Sequence, residues 1–459
     1  MQNIYKEVNT LDKRCYTKYN LSEDILMEHA SVAMMSFIDK HFKKNQKVLI
    51  VCGAGNNGAD GIALARLLHT KYKVSLYIPF GTKSQMGQLQ LQRAQSLGVN
   101  ISKKIKKSDI VVDCLFGSGL NRELNVESKN IIKSLNSLDA YKLACDIPSG
   151  INFLGQIPST AFYANTTITM GALKKSLFTD IAKEYVGKIL VANLGIQRKL
   201  YEKKSTTFLL EKKDIKLPFR DNKNTNKGSF GHLSVYIGEK QGAGLLCAEA
   251  GFGFGCGLIT VVSEEVKKIP NYIMQNNDLP KNTTALCIGM GLGSKYNQQF
   301  LNNDLPKVID ADLFYDNNIL TILKQDNIVV TPHPKEFCSL LKLTQIADIS
   351  IQELQENRFL YVQLFSKKYP KVVLLLKGVN VLISLDKKVF VNPLGSAILS
   401  KGGSGDVLCG LIGSLLAQGY SSLEAAINGS LAHTIAAANY SKNNYSMTPS
   451  NLIEEIKKL

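Results

Sequence analysis

The sequence KVLIVCGAGNNGADGIALARLLHT, residues 47–70, sets the architecture of the first half of the chain. It opens on KVLIVCG, a short apolar run rich in β-branched residues, which is typical of a strand buried on both faces of a parallel sheet. A glycine-rich turn follows, and we expect a helix to begin at Gly58 or Ala59. Doubly wound α/β sheets bind ligands where such a strand passes into such a helix, so the sequence predicts a site at this turn.

The same turn is polar and departs from the GxGxxG pattern of dinucleotide-binding loops, because Asn56, Asn57 and Asp60 occupy it. Side-chain amides offer donors to a ligand and carbonyl oxygens to a hard cation, and Asp60 adds a negative charge. A plain Asn-Gly turn is the alternative interpretation. The concentration of asparagine, aspartate and glycine between residues 53 and 61 favours a binding loop.

Strand-like and helix-like segments continue to alternate after this turn and predict repeated βα units. Polar residues stand at three of the predicted strand ends, namely Asp113, Asp146 and Lys174. Parallel strands share one carboxyl edge, so we expect these residues and the turn at residues 56–60 to converge on one crevice. Each aspartate taken singly is also explained as a loop cap, but their corresponding positions favour a site.

A second glycine-rich segment, GSAILSKGGSGDVLCGLIGSLLAQG at residues 395–419, leads directly into a long apolar helix. Gly402, Gly403 and Gly405 permit a sharp turn, and the helix start would direct free N–H groups at an anion such as phosphate. Asp406 lies in the first helical turn, where a carboxylate can accept the proton of a hydroxyl that attacks phosphorus. The alternative is a tight turn capped by an aspartate.

Length and composition set outer limits on the class of protein. The 459 residues allow two or three domains, and a hydrophobic content of 45% is ordinary for a globular enzyme. The apolar runs are far shorter than the roughly 20 residues that span a bilayer. Residues 1–15 lack the apolar core of a secretory signal, so we expect a cytoplasmic protein with no membrane partner.

Cysteine usage and charge address metal and nucleic acid partners. Nine cysteines are scattered without a CxxC pair, which predicts buried reduced thiols and no structural zinc site. The formal net charge of +17 raises the question of nucleic acid. The lysines are dispersed, however, and tryptophan is absent from the sequence, so ligands that carry phosphate explain the charge and nucleic acid is not an expected partner.

Residues 198–226 are charged, polar and weakly periodic, and we place a domain junction there. Apolar runs resume after Gly228 and alternate with helix-like segments, including residues 242–255 and 350–368. The predicted organisation is therefore a doubly wound domain at residues 1–204 and a second α/β domain at residues 205–459.

The first domain carries, in order, the motifs GAGNNGADG, DCLFGSG, DIPSG and TMGALKKSL. These resemble the Rossmann-like NAD(P)HX epimerase domain of the bifunctional NAD(P)HX repair enzymes. The resemblance implies a potassium site formed by Asn57, Asp113 and Ser149. Asp146 and Lys174 are candidates for the acid and base that move the hydroxyl between the faces of the hydrated nicotinamide ring. The resemblance further implies that the damaged dinucleotide is bound by Asn56, Asn57, Gly58, Ala59, Asp60, Gly117, Ser118, Gly119, Leu120, Asn121, Arg122, Glu123 and Asp146.

The second domain carries, in order, KGSFGH, QGAG, GMGLG, DADL, TPHPKE, KGVN and GGSGD. These resemble the ADP-dependent NAD(P)HX dehydratase, a member of the ribokinase-like superfamily, over roughly residues 205–459. The resemblance implies that the hydrated nicotinamide is lined by Ala243, Gly291, His333 and the catalytic Asp406. It implies that the adenine nucleotide is bound by Lys377, Gly378, Val379, Asn380, Val381 and Gly405.

Two positions depart from the family pattern, because Ala59 stands where a third glycine is usual and Met290 where a proline is usual. Alanine is compatible with the first position if the backbone there has a negative φ. His333 has an alternative interpretation as a structural group with satisfied hydrogen bonds. Its two flanking prolines, Pro332 and Pro334, fix the loop and favour contact with a ligand.

The resemblance implies a bifunctional repair enzyme that epimerises R- and S-NADHX and NADPHX and dehydrates the S form at the expense of ADP, giving AMP and phosphate. Potassium would serve the first site, and magnesium would accompany ADP at the second. Phosphorylation converts the ring hydroxyl into a good leaving group once Asp406 removes its proton. Two alternatives stay open: a ribokinase-like kinase for a vitamin or sugar with a regulatory N-terminal domain, and an RNA-binding scaffold. A homo-oligomer is compatible with the sequence.

Overall fold

The computed structural model describes residues 1–293 and 296–459 and divides the chain into two compact units, Gln2–Ser205 and Thr206–Leu459. Each unit contains a sheet with mostly parallel strands and flanking helices, which confirms the expected α/β class. All nine cysteines are unpaired, and all except Cys338 are buried. Within the described ranges, no helix combines the length and the apolar character that a membrane crossing requires.

The first unit alternates strands and helices, as predicted. Helix α2 follows Ser22, whose hydroxyl accepts a hydrogen bond from the Ile25 amide. Helix α3 begins at Asn56, two residues before the predicted start, because Gly55 caps it with an extended backbone. The elements are β1 Gln2–Tyr5, α1 Asn9–Tyr19, α2 Glu23–His41, β2 Lys47–Cys52, α3 Asn56–Leu68, β3 Lys73–Tyr77, α4 Gln85–Ser96, β4 Ile101–Ser102, β5 Ile110–Cys114, α5 Val126–Asn136, β6 Tyr141–Cys145, β7 Thr166–Met170, β8 Leu173–Lys174, α6 Lys183–Val186, β9 Lys188–Ala192 and α7 Arg198–Tyr201.

The main sheet of the first unit is parallel, in the order β4-β3-β2-β5-β6-β7-β9. Successive residues of β2 pack into different clusters: Val48 and Ile50 join residues of α2 and α3, whereas Leu49 and Val51 join residues of α5. This alternation places helices on both faces of the sheet. The strand order reverses between β2 and β5, because β3 and β4 lie on one side of β2 and the later strands lie on the other. Doubly wound sheets bind ligands at the carboxyl ends of the two strands at such a reversal.

In the second unit, the helix-like segment at residues 350–368 is not one helix, because Asn357 leaves the helical region with φ −132° and separates two shorter helices. The junction segment at residues 198–226 was expected to be weakly periodic, but it contains the last helix of the first unit, α7, and the first strand of the second unit. The elements are β10 Thr207–Leu209, β11 His232–Tyr236, α8 Gln241–Gly253, β12 Leu258–Val262, β13 Met274–Asn276, β14 Ala285–Ile288, β15 Lys307–Ile309, α9 Ile319–Ile322, β16 Ile328–Val330, α10 Pro334–Leu343, α11 Ile351–Glu356, α12 Arg358–Lys368, β17 Val373–Leu376, β18 Val381–Leu385, β19 Lys388–Asn392, α13 Ser404–Ala417, α14 Ser422–Asn439 and α15 Pro449–Ile456.

The second sheet runs β13-β12-β11-β14-β15-β16-β17-β18-β19-β10. Neighbouring strands from β13 to β17 are parallel, and β17, β18 and β19 are joined by antiparallel pairing. Residues of α8, α13, α14 and α15 pack on one face in a single hydrophobic cluster. The strand order reverses between β11 and β14, so the loops after these strands are again placed where α/β sheets bind ligands.

Candidate active sites

A cavity of about 630 Å³ lies at the carboxyl edge of the first sheet. The turn after β2, the segment after β5 and the start of α1 form its wall, which includes Asp12 and Met170, two residues that the sequence analysis did not select. The predicted residues Gly58, Ala59 and Glu123 are not part of the wall, since the first two are buried within α3 and Glu123 is exposed. The predicted residues that do line it are Asn56, Asn57, Asp60, Gly117, Ser118, Gly119, Leu120, Asn121, Arg122 and Asp146.

Gly58 and Ala59 are buried in α3, the helix that contributes Asn56, Asn57 and Asp60 to the cavity wall. A Cβ on Gly58 would lie 1.9 Å from the carbonyl oxygen of Gly53, so only glycine lets the start of α3 approach the end of β2 this closely. Ala59 is fully buried within the same helix and does not adopt a positive φ. The alanine therefore fits a backbone that needs no third glycine.

Asp146 and Lys174 form a buried ion pair, with 2.6 Å between Lys174 Nζ and Asp146 Oδ1. The ammonium also donates to Thr169 Oγ1 at 2.9 Å and to the Met170 carbonyl at 3.0 Å. The Ser118 amide donates to the other carboxylate oxygen at 3.1 Å. Asp146 thus connects the ends of several neighbouring strands, and it adopts a left-handed backbone, with φ 67°, to do so.

The environment of this pair determines its charge state. Burial alone would raise the pKa of Asp146, but the Lys174 ammonium and hydrogen bonds from the Met170 and Ser118 amides hold that pKa below its ordinary value. Lys174 lines a smaller cavity of about 140 Å³, which shares Asn9 and Ser118 with the 630 Å³ cavity that Asp146 lines. An acid–base role for these two residues remains a prediction.

Asn57, Asp113 and Ser149 are the three residues predicted to hold a cation. Ser149 and Asn57 contact the segment that follows β5, and Asp113 is bonded to Ser149. Asp113 Oδ1 accepts from Ser149 Oγ at 2.7 Å, and Ser149 Oγ accepts from the Phe116 amide at 2.8 Å. A Cβ on Gly117 would lie 3.0 Å from Asn57 Oδ1, so the Asn57 amide borders the same segment. Burial raises the pKa of Asp113 to about 6, because the hydrogen bonds that it accepts do not offset its desolvation. The Asn57 Nδ2 group is buried without a hydrogen-bond partner.

In the second unit, the start of α13 exposes unpaired backbone donors. Gly403 caps the helix in a left-handed conformation, with φ 91°, which glycine adopts readily. Within the described ranges, no backbone carbonyl accepts from the amides of Gly405 or Asp406. Within the part of the chain that the structure describes, no capping box joins Asp406 to Gly403, and the choice between a catalytic and a helix-stabilising aspartate stays a prediction. Free N–H groups at the start of a helix favour an anion.

Lys377 and Asp310 form an ion pair next to this helix start. The distance from Lys377 Nζ to Asp310 Oδ1 is 2.7 Å, and the Asp310 side chain is only 3% exposed. A Cβ on Gly405 would lie 3.2 Å from Lys377 Nζ, which places the ammonium beside the predicted phosphate site. Asp310 follows β15 within the motif DADL and was not selected from the sequence as a site residue.

The carboxylates around Lys377 outnumber the cations. Burial and the negative charge of Asp310 raise the pKa of Asp406 to about 6, against the opposing effect of Lys377. Burial and Asp310 likewise raise the pKa of Glu336 to about 7. The site therefore contains two carboxyl groups that exchange protons near neutral pH, which is the range in which a general base is useful.

His333 occupies the N-cap of α10 and makes hydrogen bonds within its own helix. Its Nδ1 accepts from the amides of Lys335 and Glu336, and Glu336 Oε2 accepts from the His333 amide at 2.7 Å. This pattern is a capping box, which supports the structural interpretation of the histidine. The ring is 46% exposed, so contact with a ligand stays a prediction.

Two further residues predicted to line the hydrated nicotinamide, Ala243 and Gly291, are neighbours, because a Cβ on Gly291 would lie 3.4 Å from Ala243 Cβ. Met290 is buried, and its Sδ lies 3.3 Å from Cys409 Sγ, one helical turn after Asp406. The loop from Gly378 to Asn380 joins β17 to β18, and Val381 begins β18. Binding of a nucleotide by this loop stays a prediction.

Sequence comparisons place these sites in a family. The profile described as NAD(P)H-hydrate dehydratase matches residues 234–458, and the profile described as YjeF-related protein N-terminus matches residues 23–176. The chain is 44% identical to the bifunctional NAD(P)H-hydrate repair enzyme Nnr of Helicobacter pylori, over 100% of both chains. It belongs to the bifunctional NAD(P)H-hydrate repair enzymes.

Other members of the repair-enzyme family match over most of their length. The Nnr of Coxiella burnetii is 35% identical over 93% of this chain and 92% of that protein. Among solved structures, the ADP/ATP-dependent NAD(P)H-hydrate dehydratase of Bacillus subtilis is 22% identical, with a TM-score of 0.44 over 53% of this chain and 92% of that one. The two profiles match in the expected order, with the YjeF-related profile on the first unit and the NAD(P)H-hydrate dehydratase profile on the second.

Replacing Lys174 by methionine is expected to lower the free energy of unfolding by about 3–5 kcal/mol, because Asp146 then stays buried without a cation. The loss should grow as pH rises above the ordinary aspartate pKa, since Asp146 would have to ionise unpaired. Urea unfolding at several pH values tests this. The double variant Lys174→Met with Asp146→Asn should recover much of the loss, and Lys71→Met, which breaks an exposed pair with Asp39, should cost little.

Replacing Asp310 by asparagine is expected to shift the pH dependence of whichever reaction uses Asp406. Removal of the like charge lowers the pKa of Asp406 below about 6, so activity should begin to rise at lower pH. The nucleotide KM should increase because Lys377 loses its anchor. Rate measurements between pH 5 and pH 8 provide the test. The exposed pair of Asp326 and Lys371 supplies the control Asp326→Asn, and equal profiles for both variants would contradict the assignment.

Proposed function

We propose that this chain repairs hydrated nicotinamide dinucleotides by two reactions, one in each unit. The first unit interconverts the R and S forms of NADHX and NADPHX, and the second removes water from the S form while ADP is converted to AMP and phosphate. Full-length similarity to the bifunctional repair enzymes supports this assignment. The proposed domains are residues 1–204 and 205–459.

The observation that carries the second activity is the Asp406 carboxylate, which has no hydrogen-bond partner among the described residues, at a helix start where the N–H groups of Gly405 and Asp406 are likewise unpaired. In the proposed reaction, Asp406 takes the proton of the ring hydroxyl as its oxygen attacks the terminal phosphorus of ADP. The helix start and Lys377 stabilise the negative charge on the transferred phosphoryl group. Elimination of phosphate, with loss of a proton from the neighbouring ring carbon, then restores the reduced ring.

Magnesium is proposed to accompany ADP at this site. Asp310, Glu336 and Asp406 surround the single ammonium of Lys377, and two of these carboxyl groups have raised pKa values. Carboxylate oxygens are ligands that magnesium accepts, and the excess negative charge fits a divalent cation. When bound, the ion would neutralise charge on the phosphates, while orientation of the hydroxyl and removal of its proton remain the tasks of the chain's own residues.

Potassium is proposed to bind at Asn57, Asp113 and Ser149. Asp113 is fully buried, and within the described ranges no lysine, arginine or histidine pairs with it. It accepts three hydrogen bonds, and a carboxylate has about four lone-pair positions, so an oxygen ligand remains available. The donor set consists of oxygen atoms, as a hard cation requires. The ion would supply positive charge near the phosphates of the dinucleotide.

The substrates proposed for the chain are NADHX, NADPHX and ADP, with no nucleic acid or membrane partner. Cytoplasmic location is proposed because nine unpaired cysteines suit a reducing compartment. A homo-oligomer is compatible with this function. The competing small-molecule kinase would leave a phosphorylated product, whereas the repair reaction releases free phosphate and restores the absorbance of the reduced nicotinamide.

Replacing Asp406 by asparagine is expected to lower the dehydration rate by roughly 100- to 10,000-fold, the range typical for loss of a general base. Wild-type activity should rise as pH passes through the Asp406 pKa of about 6, because only the ionised form accepts a proton. ADP binding and epimerisation should be retained. The measurements are reduced-nicotinamide absorbance, phosphate release and ADP affinity on one preparation.

Glu424→Gln is the matched control for Asp406→Asn. Glu424 occupies the same position in the first turn of α14 but completes a capping box with Ser421. Its loss should lower thermal stability by an amount typical of a cap, about 1 kcal/mol, without changing either rate. Dehydration by Asp406→Asn within about threefold of wild type would remove the proposed base.

Potassium, but not sodium at equal ionic strength, is expected to raise the melting temperature of the first unit. The Asp113 pKa is raised to about 6, so this residue favours the folded state less as pH rises through that value, and a bound cation should offset the loss. The potassium effect should therefore be larger at pH 8 than at pH 5. Thermal unfolding of wild type and Asp113→Asn in both salts tests this, and equal shifts in both salts would exclude a selective site.

A further inference from the structure

Asp60 has an unusual position among the acidic residues of the first unit. It lines the 630 Å³ cavity and also a second cavity of about 110 Å³, and Asp12, Asn56 and Met170 line both as well. Its backbone carbonyl accepts from Ser31 Oγ at 2.9 Å, but within the described ranges no group donates a hydrogen bond to its carboxylate. The Asp60 side chain is thus directed to the space in which the substrate is expected to bind.

The neighbouring carboxylates, by contrast, all have partners. Asp12 accepts from the Tyr201 hydroxyl at 2.7 Å, Glu23 from Asn56 Nδ2 at 2.6 Å, and Asp146 from Lys174 at 2.6 Å. These bonds engage the three groups as hydrogen-bond acceptors, and the burial of Asp146 is outweighed by Lys174 and by hydrogen bonds, which hold the Asp146 pKa below its ordinary value. A carboxyl group that transfers a proton to and from a substrate must be free of competing hydrogen bonds and ion pairs. Of these four carboxyl groups, Asp60 is the one without such a bond in the described ranges.

The charges around Asp60 favour its protonated form. Burial raises the Asp60 pKa well above its ordinary value, and the carboxylates of Asp146, Asp12 and Glu23 raise it further. Lys174 opposes this effect, but its ammonium is already bound to Asp146. Burial and like charge therefore favour the protonated form of Asp60 at this cavity, and that is the form that donates a proton.

We propose that Asp60 is the catalytic acid and base of epimerisation, a role that rests on the epimerase function proposed above. Asp60 gives its proton to the ring hydroxyl, the bond between that oxygen and the ring carbon breaks, and water leaves. The lone pair of the ring nitrogen forms the carbon–nitrogen double bond that replaces it. Water then adds to the opposite face of the carbon, and the Asp60 carboxylate takes the proton released, so atoms and charges balance.

This assignment gives Asp146 and Lys174 a different task. Their ion pair stays charged throughout and positions the segment from Phe116 to Ser118 through the Ser118 amide. Asp146→Asn should therefore raise KM and lower stability, and kcat should keep a pH dependence that is shifted to lower pH, because Asp146 no longer raises the Asp60 pKa. Asp60→Asn should remove that pH dependence.

The test uses the full-length chain with purified S-NADHX and potassium but without ADP, so that dehydration does not occur. Conversion to the R form is followed by chromatography and corrected for the spontaneous rate. Asp60→Asn is expected to lower kcat by roughly 100- to 10,000-fold and to leave KM nearly unchanged. Asp60→Glu should restore part of the rate. The control is Asp24→Asn, which breaks the partly exposed ion pair between Asp24 and Arg93 and should keep the wild-type kcat.

Two further measurements separate catalysis from structure. Wild-type kcat should fall as pH rises through the Asp60 pKa, because the acid loses its proton. The melting temperature of Asp60→Asn should equal or exceed that of wild type, by a margin that grows between pH 5 and pH 8, since a buried unpaired carboxylate is no longer forced to ionise.

The outcomes are distinct. A wild-type chain that does not accelerate epimerisation contradicts the proposed function itself. An active wild type with an Asp60→Asn variant that keeps kcat within about threefold, or that changes KM alone, overturns the catalytic role of Asp60. A melting temperature of Asp60→Asn that drops further below that of wild type as pH rises shows that the Asp60 carboxylate is stabilised by a cation, and this also overturns the proposal.

Discussion

The Lys174 ammonium and the Asp146 carboxylate, 2.6 Å apart in a buried position, hold together the carboxyl edge of the first sheet. A buried charge without a partner is costly, so each of these residues fixes the position of the other and of the strand ends that carry them. Lys377 and Asp310, 2.7 Å apart, have the same relation in the second unit. In each unit one aspartate near the pair has no hydrogen bond to its carboxylate from the described residues, Asp60 in the first and Asp406 in the second, and the pKa of each is raised. The ion pairs fix the strand ends, and these two aspartates are the groups that we propose as proton carriers.

The sequence predicted the part of the sites that follows from sheet geometry. Asp113 and Asp146 were selected because they stand at the ends of parallel strands; the structure places Asp146 in the wall of the 630 Å³ cavity, whereas Asp113 is fully buried and bonded to Ser149. Asp310 obeys the same rule, since it directly follows the buried strand β15, and was recognisable on that basis. Asp12 was not recognisable, because it lies on α1 and reaches the cavity only through tertiary packing. The charge of each carboxyl group depends on partners distant in sequence, which no local pattern contains.

Helix boundaries and their caps were less predictable. The start of α3 at Asn56 follows a glycine cap that has no side chain to signal it. His333 was selected for ligand contact, yet the sequence HPKE also contains two capping signals, a proline at the first helical position and a glutamate three residues after the cap. The structure contains that capping box, so a local stability pattern and a functional pattern coincide at this residue.

Four helices of the second unit place an acidic residue at the third position after the cap, and α10, α13 and α14 show how the cap affects what that residue does. In α10 and α14 the caps His333 and Ser421 have side chains and amides that engage Glu336 and Glu424. In α13 the cap is Gly403, whose left-handed backbone offers Asp406 no such partner. The carboxylate and the first amides of α13 are then left for a ligand and not for the helix itself. Restoring a capping side chain at residue 403 would require a strained backbone, with φ 91°, so the glycine that makes the turn possible also keeps Asp406 available for chemistry.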